Sequence, residues 1–197
     1  MTAPVDFTNC ERLPGRAYNG ANGKKITIRY DGAVWLVKFP PSAADRPTAL
    51  SYTNSCICEH LASTIANMVG LRSHETRLGT FANGKIKTVC ACRDFTADGK
   101  QLYDFCSIKT AAALMQDGKK IAYVDFVKRN RDGVLAPSLA RIVPRIDMRA
   151  ISAFIDSAPL LTDLQRRFYK TYLAARHEAL FGLQPRRAPQ EKWRLTK

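Results

Sequence analysis

Two runs of alternating residues, separated by a two-residue turn, form the clearest pattern in the chain. Residues 25–30 and 33–39 are rich in β-branched and aromatic side chains, and the intervening Asp31 and Gly32 favour a type I′ turn. The pattern predicts a β-hairpin. Because strand side chains alternate, Lys38 shares a face with apolar neighbours, where an ammonium group requires an anion. Trp35, Val37 and Phe39 point to the opposite face.

A helix is predicted from about Ser51 to Val69, and Gly70 suits the position just after its end. Its apolar positions recur every three or four residues, at Ile57, Leu61, Ile65 and Met68. Glu59 lies on this helix and can supply the anion that Lys38 requires. We therefore expect the two side chains to approach ion-pair distance where the helix packs on the sheet.

The rest of the pattern predicts further strands and then only helices. The strands are a second hairpin, 75–81 with 85–95, and one strand at 101–108. The helices are expected near 120–130, 135–142, 147–157 and 162–181. The last begins at a Thr162 or Asp163 cap and carries an apolar side formed by Leu164, Phe168, Tyr172 and Leu180. The predicted fold class is α+β: a small antiparallel sheet of about five strands with one packed helix, followed by an all-helical part.

Length and hydropathy bound the class of protein. A chain of 197 residues suits one domain or two small ones, and 46% hydrophobic residues are typical of a globular chain. No apolar run reaches the ~18 residues that a membrane span requires, and the first residues lack a secretory signal pattern. We therefore expect a cytoplasmic location and no membrane partner.

Charge is distributed unevenly. The net charge of +14 divides into +5 for residues 1–109 and +9 for residues 110–197. Basic side chains cluster on one side of the last predicted helix and in the tail: Arg166, Arg167, Lys170, Arg186, Arg187, Lys192, Arg194 and Lys197. Such clustering indicates contact of residues 141–197 with nucleic acid or an acidic partner, or only a solvated surface.

The six cysteines and three histidines do not predict a metal site. Cys56 with Cys58, and Cys90 with Cys92, form two Cys-x-Cys pairs, whereas zinc ligands are usually spaced two to four residues apart. If Cys56 and Cys58 lie on a helix, their thiols point to different faces. If Cys90 and Cys92 lie on a strand, their thiols share a face, but small residues of this kind suit a protein core equally well. The histidines are scattered, so reduced structural thiols and no bound metal are expected.

Five ordered segments resemble a known kinase family. They are the glycine-bearing turn at 18–25, the Lys38 strand, and residues 51–60, 75–80 and 90–95. Together they resemble the HipA-like serine/threonine kinases, and among these the CtkA-like branch, a bacterial or phage lineage often found in toxin–antitoxin or effector contexts. In that family this stretch is the small kinase lobe.

The resemblance implies a nucleotide site. Lys38 and Glu59 would hold the phosphates of ATP, and Gly20 and Gly23 of the glycine-bearing turn would cradle them through backbone N–H groups. ATP and Mg²⁺ are the implied cofactors. A kinase substrate or an antitoxin-like protein is the implied protein partner.

The family's catalytic stretch is not found past Lys109. Residues 118–126, 142–148 and 163–170 instead look like the far end of the large lobe. The sequence thus predicts an internal deletion near residues 106–112. It also predicts three parts: a small-lobe-like domain at 1–109, a helical large-lobe remnant at 110–182, and a basic flexible tail at 183–197.

One spacing keeps a catalytic alternative open. Asp125 and Asn130 have the Asp-x₄-Asn spacing of a kinase catalytic loop, but Tyr123 and Val124 stand where a His-Arg-like pair is usual. The same residues also fit an amphipathic helix. We expect a truncated pseudokinase-like relative with weak or absent transfer that retains a capacity to bind ATP. The alternative is a basic adaptor that binds nucleic acid or an acidic partner and modulates a full-length kinase.

Overall fold

The computed structural model describes residues 4–14, 24–41, 54–96 and 123–182. The strands in these ranges are β1 (Val5–Asp6), β2 (Glu11–Arg12), β3 (Lys25–Tyr30), β4 (Ala33–Lys38), β5 (Thr76–Asn83) and β6 (Lys85–Arg93). The helices are α1 (Ser55–Met68), α2 (Tyr123–Asn130), α3 (Ala136–Ile142), α4 (Met148–Ser157) and α5 (Asp163–Phe181), with a 3₁₀ turn at Val143–Arg145. The predicted strand at 101–108, the glycine-bearing turn with Gly20 and Gly23, the predicted junction near 106–112 and the tail at 183–197 lie outside the described residues.

The strands form one six-stranded sheet in the order β1-β5-β6-β4-β3-β2. All neighbours are antiparallel except β1 and β5, which are parallel. The predicted α+β class is therefore confirmed, while the edges differ from a purely antiparallel sheet of five strands. The two edge strands hold two residues each, too few to show an alternating pattern.

The first hairpin has the predicted turn and register. Residues of β3 and β4 pair from Lys25 with Lys38 down to Tyr30 with Ala33. The turn residues Asp31 and Gly32 have φ values of 49° and 68°, as a type I′ turn requires. The predicted alternation of side chains is also confirmed. Trp35, Val37 and Phe39, on the face of the sheet opposite to Lys38, are buried together in one core cluster.

The predicted helices are confirmed within the described residues. Helix α1 ends with Val69 as its C-cap, and Gly70 follows with φ 79°, a left-handed conformation that glycine adopts without strain. Helix α5 begins with a capping box in which the Thr162 hydroxyl accepts from the Gln165 amide while the Gln165 side chain accepts from the Thr162 amide.

The apolar residues that recur on one side of the last helix do not form its buried face. Leu164, Phe168 and Tyr172 are 70%, 58% and 50% exposed, whereas the neighbouring Tyr169 is only 8% exposed. Helix α5 packs through Tyr169 and Leu173, and the rings of Phe168 and Tyr172 stack on each other outside the core. The spacing identified a real stripe of apolar residues, but packing uses an adjacent stripe.

A single core joins the sheet to the C-terminal helices. Its buried residues come from α1, β5, β6, α4, α5 and the α4–α5 connection: Cys56, Ile57, Leu61, Leu78, Cys90, Cys92, Ile151, Ile155, Ala158, Leu161 and Tyr169. Residues before and after the predicted boundary at 109/110 therefore bury their side chains against each other. Among the described residues, no helix is long and apolar enough to cross a membrane.

Candidate functional site

Lys38 and Glu59 meet where α1 crosses the sheet. Lys38 is the last residue of β4, flanked by Lys25 on β3 and Cys90 on β6, and Glu59 lies in the second turn of α1. The Lys38 ammonium donates a hydrogen bond to Glu59 Oε1. The side chains are 31% and 26% exposed, so both lie near the surface without facing bulk solvent. The predicted pairing is confirmed.

Packing of α1 fixes this geometry. Cys56 and Ile57, at the start of the helix, are buried on the sheet, and the Cys56 thiol donates to the backbone oxygen of Lys38 at 3.3 Å. Leu61 continues the buried side one turn later. Because Glu59 lies between these anchored positions, the packing of the helix places its side chain beside Lys38.

His74 and Cys92 join the pair. The Cys92 thiol lies 3.5 Å from Glu59 Oε1, and His74 Nε2 lies 3.7 Å from the same oxygen. Sequence reasoning missed this grouping. Strand alternation alone places Cys92 on the Lys38 face, since it pairs with Leu36, but His74 lies in the irregular segment between α1 and β5. No periodic pattern could have placed that imidazole.

Lys38 and Glu59 each stabilise the charged form of the other. Burial tends to raise the pKa of Glu59, but the His74 and Lys38 side chains outweigh it and lower that pKa to about 2. Burial likewise tends to lower the pKa of Lys38, but the hydrogen bond to Glu59 and the negative charges of Glu59 and the neighbouring cysteines together outweigh it, so the pKa is raised. Both groups are therefore ionised at neutral pH.

The imidazole and the thiol are also perturbed. Contact with Cys92 and then Glu59 raises the pKa of His74 to about 9, against the effect of burial. The hydrogen bond from Cys90 lowers the pKa of Cys92 to about 6, with a further contribution from His74. The same interaction with Cys92, together with burial, raises the pKa of Cys90. These contacts favour the charged forms of both groups, an imidazolium at His74 and a thiolate at Cys92.

The weaker catalytic candidates lie on α2. Asp125 is exposed in the first turn and Asn130 is the last residue of the helix. A spacing of five residues places them about 140° apart around a helix axis, because each residue turns by about 100°. The amphipathic-helix interpretation of this segment is confirmed. A catalytic role for either residue stays a prediction, and Gly20 and Gly23 lie outside the described residues.

The basic side of α5 is partly engaged within the chain. Arg166 donates to the backbone oxygens of Asp156 and Ala158, at 3.2 and 3.0 Å, and Lys170 pairs with the Asp156 carboxylate at 2.7 Å. Arg167 is exposed. Two of the three predicted contact residues therefore stabilise the packing of α5 on α4.

Comparison with known proteins shows what the chain is similar to. No protein-family model matches the chain. Over 116 residues it is 44% identical to the serine/threonine-protein kinase CtkA of Helicobacter pylori strain J99, a match that covers 58% of this chain and 34% of that protein. The chain is similar to CtkA over this region. The family resemblance of the ordered motifs is thereby confirmed, while the matched region spans about a third of CtkA.

The fold is also that of CtkA. The crystal structure of a Helicobacter pylori proinflammatory kinase CtkA matches with a TM-score of 0.67, over 90% of this chain and 95% of that chain, at 22% identity. Identity this low shows the fold alone. The α+β architecture, with a curled sheet followed by helices, is thus shared with the CtkA structure.

Proposed function

We propose that this CtkA-like serine/threonine kinase relative binds ATP through Lys38 and Glu59 and transfers phosphate weakly or not at all. The observation that carries the proposal is the ion pair between the end of β4 and α1. Protein kinases use a strand lysine paired with a helix glutamate to hold nucleotide phosphates. The ammonium has three donor hydrogens, of which Glu59 engages one, so two are left for phosphate oxygens.

The residues fit the phosphates better than they fit Mg²⁺. Magnesium prefers oxygen ligands in octahedral geometry. In the described part of the chain, the group of three potential ligand side chains that lies close together is Glu59, His74 and Cys92, which includes a thiol and an imidazole. These residues would not hold Mg²⁺, so Mg²⁺ would have to enter with the nucleotide.

Weak or absent transfer follows from the lack of a recognisable catalytic stretch. Phosphoryl transfer also requires acids that orient the acceptor hydroxyl and hold the metal, and Lys38 with Glu59 cannot supply them. The Asp125–Asn130 spacing is a candidate, but α2 separates the two side chains around its axis. The order of large-lobe-like segments after residue 109 supports an internal deletion.

Direct binding measurements test the nucleotide proposal. Calorimetric titration of the purified chain with Mg·ATP should show saturable binding, and Lys38→Ala should weaken it at least about tenfold because charge-assisted bonds to phosphate are lost. Lys85→Ala is the matched control, since Lys85 is an exposed lysine on β6 of the same sheet. Equal affinity in wild type and Lys38→Ala would refute the proposal.

A transfer assay tests the second half of the proposal. With γ-labelled ATP, the chain should label neither itself nor generic serine/threonine substrates above background. Activity that disappears in both Lys38→Ala and Asp125→Ala would contradict the proposal and make Asp125 a catalytic residue.

The remaining partners are predictions of the sequence. An antitoxin-like or substrate protein, a nucleic acid bound through residues 141–197, and a cytoplasmic location rest on the resemblance and on charge. The intramolecular bonds of Arg166 and Lys170 reduce the case for α5 as a nucleic-acid surface, because paired cations attract phosphates less strongly. We therefore place the adaptor alternative second.

A further inference from the structure

We propose that Glu59, His74 and Cys92 form a binding site for a divalent transition metal of the zinc class, which binds in competition with Lys38. The three side chains each offer one ligand atom, and these atoms lie within 4.8 Å of one another. They come from three places in the chain: α1, the α1–β5 connection and β6.

The ligand set selects the metal. Thiolate, imidazole and carboxylate are the three ligand types that zinc takes in proteins, and three protein ligands with one open position are typical of reactive zinc sites. A thiolate disfavours Mg²⁺ and Ca²⁺, which prefer oxygen. The site is therefore matched to Zn²⁺ and to its spectroscopic substitute Co²⁺.

The spacing of the ligand atoms agrees with this choice. Zinc lies about 2.3 Å from sulfur and about 2.0–2.1 Å from nitrogen, with similar distances to oxygen, so tetrahedral ligand atoms are about 3.3–3.6 Å apart. Glu59 Oε1 lies 3.5 Å from Cys92 Sγ and 3.7 Å from His74 Nε2. All three ligand atoms lie within 4.8 Å of one another, so side-chain movements of up to about 1 Å would bring them around an ion.

The imidazole is the second independent sign of a ligand. His74 Nε2 is fully buried, and its nearest acidic neighbour, Glu59 Oε1 at 3.7 Å, is within ion-pair range but too far for a hydrogen bond, so among the described residues this nitrogen makes none. A buried polar atom without a partner costs free energy, and most native structures avoid it. A metal ion placed among the three ligand atoms would satisfy this nitrogen by displacing its proton, which would be released to solvent. Since β6 and α1 belong to one packed core, two of the three ligands are held on rigid elements.

Lys38 and the metal ion would compete for Glu59. Its ammonium engages Glu59 Oε1, the oxygen that faces the other two ligands. A dication at that oxygen is repelled by Lys38, so the metal must displace the ammonium from Glu59. The chain would then have two states, one with Lys38 paired to Glu59 and one with Glu59 bound to metal and Lys38 released.

The primary test measures metal binding without any nucleotide. The reduced, metal-free full chain is titrated with Zn²⁺ against a chromophoric chelator, and separately with Co²⁺ while absorption is recorded. We expect one tight equivalent, with thiolate-to-cobalt charge transfer and the strong visible bands of a tetrahedral site. His74→Gln and Cys92→Ser should each weaken binding at least about tenfold, because the other ligands cannot replace the lost one.

Matched controls separate this site from the other thiols and imidazoles. Cys58→Ser removes an exposed thiol of α1, and His177→Gln removes a histidine of α5. Both should leave affinity unchanged. Circular dichroism shows whether Cys92→Ser still folds; His74→Gln, with a partly exposed side chain, carries the test if it does not. Affinity that is insensitive to His74→Gln, or the absence of a tight equivalent, would overturn the proposal.

A third variant tests the competition. Lys38→Ala should tighten Zn²⁺ binding severalfold by removing a positive charge beside Glu59, whereas Lys85→Ala should not change it. Unchanged or weaker binding in Lys38→Ala would overturn the competition. If the proposed function holds, saturating Zn²⁺ should also weaken ATP binding. Because the metal titrations contain no ATP, they test the metal site even in a chain that fails to bind ATP.

Discussion

The Lys38 ammonium is held in a half-buried position because Glu59 compensates for the water that it loses. Exposed ion pairs add little stability, whereas removing one partner of a partly buried pair leaves the other desolvated. Glu59 is further held by His74 and Cys92 on its other side. The pair is therefore both a structural contact and the candidate phosphate anchor.

The first prediction is that Glu59→Gln destabilises the chain in a pH-dependent way. The folded-state pKa of Glu59 is about 2, below the ordinary value of 4.5, so its stabilisation is fully present above 4.5 and is lost as pH falls toward 2. Chemical denaturation should show a loss on the order of 1–2 kcal/mol at pH 6 that falls to about half of that at pH 3 and continues to fall toward pH 2.

A surface glutamate provides the control for that experiment. Glu11 pairs with Arg29, and both side chains are at least half exposed. Glu11→Gln should change the free energy of unfolding by less than about 0.5 kcal/mol at either pH. A pH-independent loss in Glu59→Gln would show that the carboxylate contributes through packing and not through its charge.

Residues on regular elements could be placed from the sequence, and the others could not. Strand alternation directed Lys38 toward α1, and the helix pattern of α1 placed Glu59 over the sheet, so their contact could be predicted. Cys92 lies on the same face, but a small residue there also suits a core. His74 lies outside any helix or strand, and only the folded chain shows its approach to Glu59.

At the scale of elements, the parallel edge strand depends on one glycine. A Cβ built on Gly79 of β5 would lie 2.2 Å from the backbone oxygen of Val5 and 2.5 Å from the Phe7 ring. Phe7 is completely buried, so neither neighbour can move without cost. Close approach of β1 therefore requires glycine at this position.

The second prediction follows from that contact. Gly79→Ala should lower the free energy of unfolding by about 1–3 kcal/mol, because it forces β1 and Phe7 away from the sheet. Gly133→Ala is the control, since the nearest atom to its added Cβ is 3.9 Å away. Urea unfolding of both variants measures the difference; equal stabilities would contradict the assigned packing of β1.

The third prediction concerns the start of α5. Thr162→Ala removes the side-chain acceptor of the capping box and should cost about 1 kcal/mol, while Thr162→Ser keeps the hydroxyl and should cost little. Thermal unfolding followed by circular dichroism measures both. Similar losses in the two variants would show that the methyl group, and not the cap, stabilises this end of the helix.

Helices and strands with a periodic pattern or characteristic turn residues could be predicted from the sequence. Short strands that form only because a neighbouring strand offers an unpaired edge could not. The β3–β4 hairpin and helices α1 to α5 carry local signals that the structure confirms. Strands β1 and β2 have two residues each and exist because β5 and β3 offer them unpaired edges. The side of α5 that packs could not be read from the spacing, because the stripe with Phe168 and Tyr172 is exposed and the adjacent Tyr169 and Leu173 pack against the core.

At the scale of the whole molecule, one core crosses the predicted boundary at 109/110. Ile155 of α4 is completely buried in the same cluster as Cys90 and Leu78 of the sheet. The sequence predicted a small-lobe-like domain and a helical remnant as separate parts. Their shared core indicates that the described sheet and helices stabilise each other.

The fourth prediction tests this mutual dependence. Ile155→Ala should lower the free energy of unfolding by about 2–5 kcal/mol, and hydrogen exchange should accelerate in β6 as well as in α4. Ile86→Ala is the control, because Ile86 of β6 is 77% exposed. Faster exchange confined to α4 and α5 would show that the two parts unfold independently.

The most direct test of the central claim asks whether Lys38 recognises phosphate. Calorimetric affinities of the wild type and Lys38→Ala are measured for adenosine, AMP, ADP and ATP at fixed salt. We expect affinity to rise with the number of phosphates in the wild type, and this rise to be largely lost in Lys38→Ala while adenosine affinity is unchanged. A rise of the same size in both proteins, or no rise in the wild type, would contradict the account.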